Sequence, residues 1–205
     1  YQIYKKMAHA LRGRLLVIRI FDIGGDKRVD LFPEQKDARY FAQIGHEINP
    51  ALGCRAIRFL LRFPELLRAQ LRAILRASAY GDIQILIPMV SDLSELRQVR
   101  KIVGEITQEL REQNIECVKQ MAIGCMIEVP SSAIMCDALA KEADFLSIGT
   151  NDLVQYLLAA DRSNPHTADL YFSTHPSILR MIRMVVASAN CARKPVIICG
   201  ECAAD

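Results

Sequence analysis

Two carboxylate residues follow apolar runs of the sequence and are of the type that binds a divalent cation. Glu128 comes directly after MAIGCMI (121–127), and Asp152 comes shortly after FLSI (145–148). Each run is typical of a buried strand, so we expect both carboxylates at strand ends, where hard oxygen ligands suit Mg²⁺. For Asp152 the alternative is a helix cap beside Thr150. A buried carboxylate at Glu128 needs a partner, which favours a functional role there.

Several basic residues at predicted strand ends and loops could bind an anionic substrate. Arg19 interrupts the apolar run LLVIRI (15–20), where a charge is costly unless it meets an anion. Guanidinium groups match phosphate or carboxylate oxygens two at a time, so several of them near a divalent cation favour a phosphorylated substrate. For each single arginine the alternative is an internal ion pair, such as Arg19 with Asp22 or Arg162 with Asp161. The basic residues in question are Arg19, Lys27, Arg55, Arg58 and Arg162.

Two further patterns are less specific. The turn Gly-Gly-Asp-Lys (24–27) offers backbone amides to an anion, although an ordinary turn is the better explanation for it. Cys199 and Cys202 have the Cys-x-x-Cys spacing of redox sites, but two thiols at the end of a buried strand are the simpler explanation. A thiol at the mouth of a barrel could instead donate or accept a proton. The four histidines form no metal-type cluster, and no chemistry is assigned to them.

The elements that must position these residues alternate between strand and helix. The apolar runs are nearly continuous rather than alternating, which is typical of parallel strands buried on both faces. Longer segments between them have helical periodicity; one carries Arg68, Arg72 and Arg76 on a face predicted to be solvated. The predicted strands are 15–20, 83–87, 121–127, 145–148 and 196–199. The predicted helices are 64–78, 93–110, 131–141, 152–160 and 176–192.

This alternation predicts an α/β fold with a parallel sheet, either an open doubly wound sheet or a closed barrel. The candidate residues follow several different strands, and such ends converge at the mouth of a barrel. Neither a G-x-G-x-x-G fingerprint nor a P-loop occurs, which weakens the open sheet. A full barrel needs about 250 residues. We therefore predict one domain, residues 1–205, with a TIM-type (β/α)8 barrel that is incomplete at one or both ends.

Composition excludes several classes. With 51% hydrophobic and 24% charged residues the chain is not disordered. The net charge of +3 is too small to indicate a nucleic-acid partner. No apolar run approaches the ~18 residues of a membrane span. No charged-then-apolar stretch opens the sequence, so we expect no signal peptide. Seven cysteines, mostly in apolar runs, suit free thiols of a reducing cytosol. Because the chain begins at Tyr1, we expect it to be part of a longer protein.

Seven stretches, in order along the chain, carry a family resemblance. They are VIRIFDIGGDK (17–27), NPALGCRAIR (49–58), QLRAILRAS (70–78), IPMVSDLSEL (87–96), IGCMIEVPSSA (123–133), DFLSIGTNDLVQYLLAADR (144–162) and CGECAAD (199–205). With these the sequence resembles the phosphoenolpyruvate-binding barrel of enzyme I, the phosphoenolpyruvate–protein phosphotransferase of the bacterial sugar phosphotransferase system. The resemblance implies transfer of the phosphoryl group of phosphoenolpyruvate to a histidine of a separate mobile domain, then to the carrier protein HPr, with release of pyruvate.

The resemblance also assigns roles to matching positions. Glu128 and Asp152 would hold Mg²⁺, and Asp152 would also belong to the substrate site. Arg19, Arg55 and Arg162 would bind the phosphoryl and carboxylate groups.

Asn151 would contact the substrate phosphate, and Cys199 would be the acid that protonates the enolate carbon as pyruvate forms. Asp22 and Lys27 match the acidic and basic residues of the DIGGDK loop. The family further implies a homodimer and a cytoplasmic location.

Some positions depart from the family pattern. Ile20 stands where the family usually has Thr, and Cys54 replaces a usual aromatic residue before Arg55. The family's upstream strand with a further phosphate-binding Arg, its final barrel strand, its phosphohistidine motif and its HPr-docking region are not in this sequence. We therefore expect this chain to bind phosphoenolpyruvate without completing the reaction alone.

Other interpretations stay open at this point. A pyruvate phosphate dikinase or a phosphoenolpyruvate synthase has the same barrel, although the order of DIGGDK and NPALGCRAIR favours enzyme I. A nitrogen-regulatory paralogue would differ by a sensor domain outside this sequence. A third interpretation, from another class, is a degenerate protein that only senses phosphoenolpyruvate. Ile20 favours it. The intact residues at the site positions argue against it; they are Glu128, Asn151, Asp152, Arg162 and Cys199.

Overall fold

A computed structural model describes residues 1–25, 40 and 42–203, and these residues form two compact units. The first unit is Tyr1–Pro88 with Lys101–Met121, and the second is Met89–Arg100 with Ala122–Asp205. The strands are β1 (Leu16–Arg19), β2 (Ile83–Ile87), β3 (Ala122–Ile127), β4 (Leu146–Gly149) and β5 (Val196–Cys199). The helices are α1 (Gln2–Ala10), α2 (Ile57–Arg62), α3 (Pro64–Ala77), α4 (Leu93–Glu112), α5 (Pro130–Ile134), α6 (Cys136–Glu142), α7 (Thr150–Leu158) and α8 (Pro176–Cys191).

In the first unit, β1 and β2 pair in parallel, with Leu16 opposite Ile83 and Arg19 opposite Leu86. The helix α3 begins at Pro64, which has no N–H to leave unsatisfied in the first turn. Its apolar residues recur at helical spacing and are completely buried. They are Leu67, Leu71, Ile74 and Leu75. The predicted strands and the predicted helix of this unit are therefore confirmed to within one or two residues.

The arginine face of α3 differs from the prediction. Arg68 forms ion pairs with Glu105, at 2.7 Å, and with Glu109. Arg72 pairs with Glu109 and donates to Gln113. These side chains therefore connect α3 to the second half of α4 instead of lying free in solvent.

In the second unit, β3, β4 and β5 form consecutive parallel pairs. Met126 lies opposite Ser147 in the first pair, and Gly149 lies opposite Cys199 in the second. All four residues of β4 and five of the six residues of β3 are buried. Burial on both faces explains why the apolar runs of the sequence are continuous and not alternating.

The helices of the second unit show both local capping and one wrong prediction. The Glu95 carboxylate accepts from the Asp92 N–H at 3.0 Å, as the third residue of a helix does in a capping box. The segment predicted as one helix at 131–141 is two helices, α5 and α6. At Met135 the backbone leaves helical geometry, and the Met135 carbonyl accepts from both Ala138 and Leu139, which starts α6.

Strands that pair in parallel with the next strand along the chain, with helices between them, form the repeat of a TIM-type barrel. Both units have this order. The predicted α/β class with a barrel-type arrangement is confirmed; among the described residues, the first unit has two of these strands and the second has three. Within residues 1–25, 40 and 42–203, no helix combines the length and apolar character needed to cross a membrane.

Candidate active site

Glu128 lies directly after β3 and is 2% exposed. Its Oε1 accepts a 2.6 Å hydrogen bond from the backbone N–H of Met89. Met89 has φ +57°, in the left-handed region that non-glycine residues rarely adopt. The Glu128 carboxylate is therefore fixed in direction by a strained peptide from another part of the same unit, as is common where a site is held in one geometry.

Gly149 at the end of β4 allows the Glu128 side chain its position. A Cβ on Gly149 would lie 2.6 Å from Glu128 Oε2 and 2.9 Å from Glu128 Cβ. Any larger residue would therefore occupy the space that the carboxylate uses. The role of Gly149 was not identified from the sequence, because nothing in the local sequence shows which side chain approaches it.

Asp152 lies in the first turn of α7 and is 4% exposed. A carboxylate there is favoured by the unpaired N–H groups and the dipole of the helix N-terminus. Its Oδ1 is 3.9 Å from Nη2 of Arg162, whose side chain is 33% exposed. Arg162 therefore forms an ion pair with Asp152. From the sequence alone, Asp161 was considered as its internal partner instead.

Asn151 precedes Asp152 and is held by two neighbours. Its Oδ1 accepts from the Glu201 N–H at 2.9 Å, and its carbonyl accepts from the Tyr171 hydroxyl at 3.1 Å. Burial raises the pKa of Tyr171, and the nearby Glu201 carboxylate raises it further. Tyr171 was not identified from the sequence, because a single tyrosine in a loop carries no pattern that marks it.

Cys199 ends β5, where its thiol faces the neighbouring strand. The Sγ donates to the Ile148 carbonyl at 3.3 Å and lies 3.5 Å from Ser147 Oγ. All seven cysteines are free, so Cys199 and Cys202 form no disulfide. The structure therefore agrees with treating the Cys-x-x-Cys spacing as incidental.

In the first unit, Asp22 binds two arginines. Its carboxylate accepts from Arg55 Nε at 3.2 Å and from Arg55 Nη2 at 3.0 Å, with both side chains buried. Arg19 Nη1 lies 3.5 Å from Asp22 Oδ2, and the Arg19 side chain is 45% exposed. The Arg19–Asp22 pair is the internal alternative considered above, whereas the more extensive Arg55–Asp22 pair was not anticipated.

The loop around Asp22 depends on glycine and on close backbone packing. Gly24 has φ +97° and forms an antiparallel bridge with Arg55. Ile20, the departure from the usual Thr, is 1% exposed, and its N–H donates to the Leu86 carbonyl.

Lys27 and the second half of the predicted Gly-Gly-Asp-Lys turn lie outside the described residues. Arg58 donates to the Leu52 carbonyl at 3.1 Å.

The donor set of the second unit fits a hard cation with few protein ligands. Glu128 and Asp152 are both buried carboxylates at the carboxyl ends of neighbouring strands. Among the residues that the structure describes, no group of three or more His, Cys, Asp or Glu side chains could hold a metal ion. Mg²⁺ is commonly bound by one or two carboxylates, with water and substrate oxygens in its other positions.

The comparison with known families settles which family this is. Residues 1–205 match the PEP-binding domain of the PEP-utilising enzymes. The chain belongs to this family. It is 42% identical over 202 residues to the phosphoenolpyruvate-protein phosphotransferase of Priestia megaterium, which covers 98% of this chain and 34% of that protein. It is 43% identical to the protein of the same name from Haemophilus influenzae, with 98% and 33% covered.

These relatives confirm the resemblance to enzyme I that the seven stretches predicted. The chain spans about a third of the length of the curated relatives it matches. A crystal structure of an HpcH/HpaI aldolase/citrate lyase family protein from Burkholderia cenocepacia has a TM-score of 0.50 and 14% identity, with 99% of this chain and 77% of that chain covered. At that identity the likeness concerns the fold alone, and it agrees with the barrel-type α/β class.

Proposed function

We propose that this chain is the phosphoenolpyruvate-binding domain of a phosphoenolpyruvate–protein phosphotransferase. The natural protein that carries it would move the phosphoryl group to a histidine of a separate domain, then to HPr, and release pyruvate. The observation that supports this best is the buried carboxylate pair, Glu128 and Asp152, with Arg162 beside it and the Cys199 thiol at the next strand end. Relatives of that name at 42–43% identity favour this over a dikinase, a synthase or a degenerate sensor.

The basic and amide groups would bind the anionic substrate. Arg19 and Arg162 present partly exposed guanidinium groups, which match phosphate and carboxylate oxygens in pairs. Asn151 would donate its side-chain amide to the phosphate, since its Oδ1 already accepts from Glu201. Arg55 remains a proposed substrate ligand, although its buried contacts with Asp22 show that it also holds the loop after β1.

Glu128 and Asp152 would hold Mg²⁺. When bound there, this ion would neutralise charge on the phosphoryl oxygens as a Lewis acid. The protein's own contribution is positional: the Met89 amide fixes one carboxylate oxygen, and the first turn of α7 carries the other carboxylate. Fixed charges of this kind stabilise a phosphoryl transfer without reorganising during the reaction.

Cys199 would complete the conversion to pyruvate. When the phosphoryl group leaves for the histidine, the P–O bond breaks and its electron pair remains on the enolate oxygen. The methylene carbon of the enolate then takes the thiol proton, so that a C–H bond forms, the S–H bond breaks, and a thiolate remains. The Sγ position at the end of β5 suits such a general acid.

Finer properties follow from the same proposal. Mg²⁺ dependence, a homodimer, a cytoplasmic location and service to sugar transport are proposed because enzyme I has them. They are proposals for the natural protein that carries this sequence.

The test uses that natural protein with Mg²⁺ and phosphoenolpyruvate labelled in its phosphoryl group, without nucleotide. We expect acid-labile phosphohistidine that is chased onto added HPr. Labelling without transfer to HPr would contradict the phosphotransferase assignment in favour of a dikinase-type relative, and no labelling would favour a sensor. Asp152→Ala should abolish the Mg²⁺-dependent labelling. The matched control is Asp137→Ala, because Asp137 is an exposed carboxylate on α6.

A further inference from the structure

A buried hydroxyl on β4 accompanies the proposed acid. Ser147 is 1% exposed and lies in the middle of a strand that is otherwise apolar. A buried hydroxyl without a hydrogen-bond partner costs free energy, so such groups are nearly always paired. The side-chain partner of Ser147 in the structure is the Cys199 thiol, with 3.5 Å between Oγ and Sγ.

The register of the sheet explains this contact. Gly149 lies opposite Cys199 on β5, and Ser147 precedes Gly149 by two residues. Because strand residues alternate between faces, Ser147 and Gly149 share one face, which is also the face of Cys199. Gly149 has no side chain there, and Glu128 Oε2 lies 2.6 Å from the position that a Cβ on Gly149 would occupy. The hydroxyl, the thiol and the Glu128 carboxylate therefore lie on one face at the carboxyl ends of the strands.

The direction of each hydrogen bond follows from the neighbouring carbonyl. The Cys199 thiol donates its single proton to the Ile148 carbonyl at 3.3 Å. The contact with Ser147 therefore has the hydroxyl as donor and sulfur as acceptor. An O–H donor favours the ionised sulfur over the neutral one, because hydrogen bonds to a charged acceptor are about twice as strong.

We propose that Ser147 is a positioning residue for Cys199, which holds the thiol in place and stabilises the thiolate that forms when the thiol gives up its proton. The inference rests on the proposed function for its place in the reaction. In that step the thiol proton moves to the methylene carbon of the enolate, the S–H bond breaks, and the sulfur keeps the electron pair. The Ser147 hydroxyl then donates to an anion instead of a neutral sulfur.

The test measures alkylation of each cysteine of this chain by iodoacetamide from pH 6 to pH 10. The thiolate attacks the methylene carbon of iodoacetamide, an S–C bond forms and iodide leaves. The rate of alkylation therefore reports the thiolate population. Tandem mass spectrometry separates Cys199 from Cys202. In Ser147→Ala we expect alkylation of Cys199 near neutral pH to be about tenfold slower, because the thiolate loses the hydroxyl that donates to it. Cys191 and Cys202 should keep their wild-type profiles.

The sign of the change separates this role from a merely structural one. A loosened strand would expose Cys199 and accelerate its alkylation at all pH values, which would contradict the proposal. An unchanged Cys199 profile would contradict it too. Ser132→Ala is the matched control, because Ser132 is also fully buried in this unit but donates to the Val129 carbonyl. That variant should leave Cys199 unaffected.

A second pair of variants decides the question if Ser147→Ala does not fold. Ser147→Thr keeps a hydroxyl and Ser147→Val replaces it by a methyl group of the same shape. We expect the Thr variant to have a rate of Cys199 alkylation near wild type and the Val variant to have a rate about tenfold lower near neutral pH. Equal profiles for the two would overturn the proposal. The ionisable groups of the candidate site are identical in every variant, so their effects cancel; they are Glu128, Asp152, Arg162 and Glu201.

The same samples test the proposed function separately. Phosphoenolpyruvate with Mg²⁺ should protect Cys199 of the wild-type chain from alkylation, because the thiol would face the bound substrate. Absence of protection would count against the proposed function. The Ser/Ala and Thr/Val comparisons are made without substrate, so they decide the contact between Ser147 and Cys199 independently.

Discussion

Substituting Gly149 by alanine tests how the Glu128 carboxylate is held. The new Cβ would lie 2.6 Å from Glu128 Oε2, 2.9 Å from Glu128 Cβ and 3.1 Å from Met126 Cγ. The backbone of Gly149 has φ −90°, which alanine adopts without strain. The effect of the substitution therefore comes mainly from these contacts and not from a forbidden backbone conformation.

Two responses are open to the protein, and both are costly. The carboxylate can swing away, which breaks its 2.6 Å bond with the Met89 N–H and leaves a buried donor unpaired, at a cost of about 1–3 kcal/mol. Alternatively β4 can shift away from β3, which is overpacking at a similar cost of about 1–3 kcal/mol. Alanine is also a poorer N-cap than glycine for α7, which adds up to about 1 kcal/mol. We expect a loss of about 2–3 kcal/mol in unfolding free energy.

Urea unfolding of this chain measures the change, with Gly104→Ala as the control. Gly104 is exposed within α4, and nothing lies within 4 Å of a Cβ placed there. Alanine at that helical position should stabilise the protein by about 0.5–1 kcal/mol. The same kind of substitution is thus expected to have opposite signs at the two sites.

A double variant isolates the contribution of Glu128. In a Glu128→Ala background the contact with Oε2 no longer exists, so Gly149→Ala should cost at least about 1 kcal/mol less than in the wild type. Equal costs in the two backgrounds would refute the reasoning, as would a Gly149→Ala variant as stable as the wild type. In the natural protein, Gly149→Ala should also raise the Mg²⁺ concentration needed for phosphoryl transfer, because it displaces a proposed ligand.

Three further predictions concern other contacts. Asp22→Ala removes the carboxylate that accepts from Nε and Nη2 of the buried Arg55 and should lower the free energy of unfolding by about 3 kcal/mol, measured by thermal unfolding; a loss below about 1 kcal/mol would show that the pair does not hold the loop. Burial raises the pKa of Cys125 to about 12 and of Cys136 to about 11, from 9.0 in the unfolded chain. The unfolded chain therefore loses these protons first, and stability should fall as pH rises above 9, by about 1.4 kcal/mol per thiol at pH 10. The Cys125→Ala and Cys136→Ala variants should each show a shallower fall, and a wild-type slope in both would contradict the assignment. Cys199→Ala should slow pyruvate formation by the natural protein while calorimetry finds phosphoenolpyruvate binding largely intact; lost binding would mean that the residue holds substrate instead.

The strands and most helices are predictable from the sequence because their determinants are local. An apolar run such as 83–87 is buried whichever strand it pairs with, so the run itself predicts a strand. The observed β2 has the same limits. The break at Met135 was not predictable, because no proline or glycine marks it and the apolar spacing continues through it. The local sequence around Met135 therefore does not decide between one helix and two.

The candidate residues were predictable in type, but their partners were not. Glu128 is held by an amide 39 residues away, and Arg55 by a carboxylate 33 residues away. The nearby partner of Arg19, Asp22, was found because it is three residues away. Contacts over long sequence separations depend on the topology, so composition and periodicity do not reveal them.

Three candidate groups of the second unit, Glu128, Asn151 and Cys199, each contact a neighbour to which no reacting role is assigned. The Met89 amide orients Glu128, the Glu201 amide orients Asn151, and the Ser147 hydroxyl contacts Cys199. Preorganised groups of this kind contribute to catalysis because they need not rearrange as charge develops. Changes at these neighbours should therefore lower the rate of phosphoryl transfer even when every reacting group is retained. A search for functional positions in this family has to include residues such as Gly149 and Ser147. Gly149 leaves space for the Glu128 carboxylate, and Ser147 contacts the Cys199 thiol.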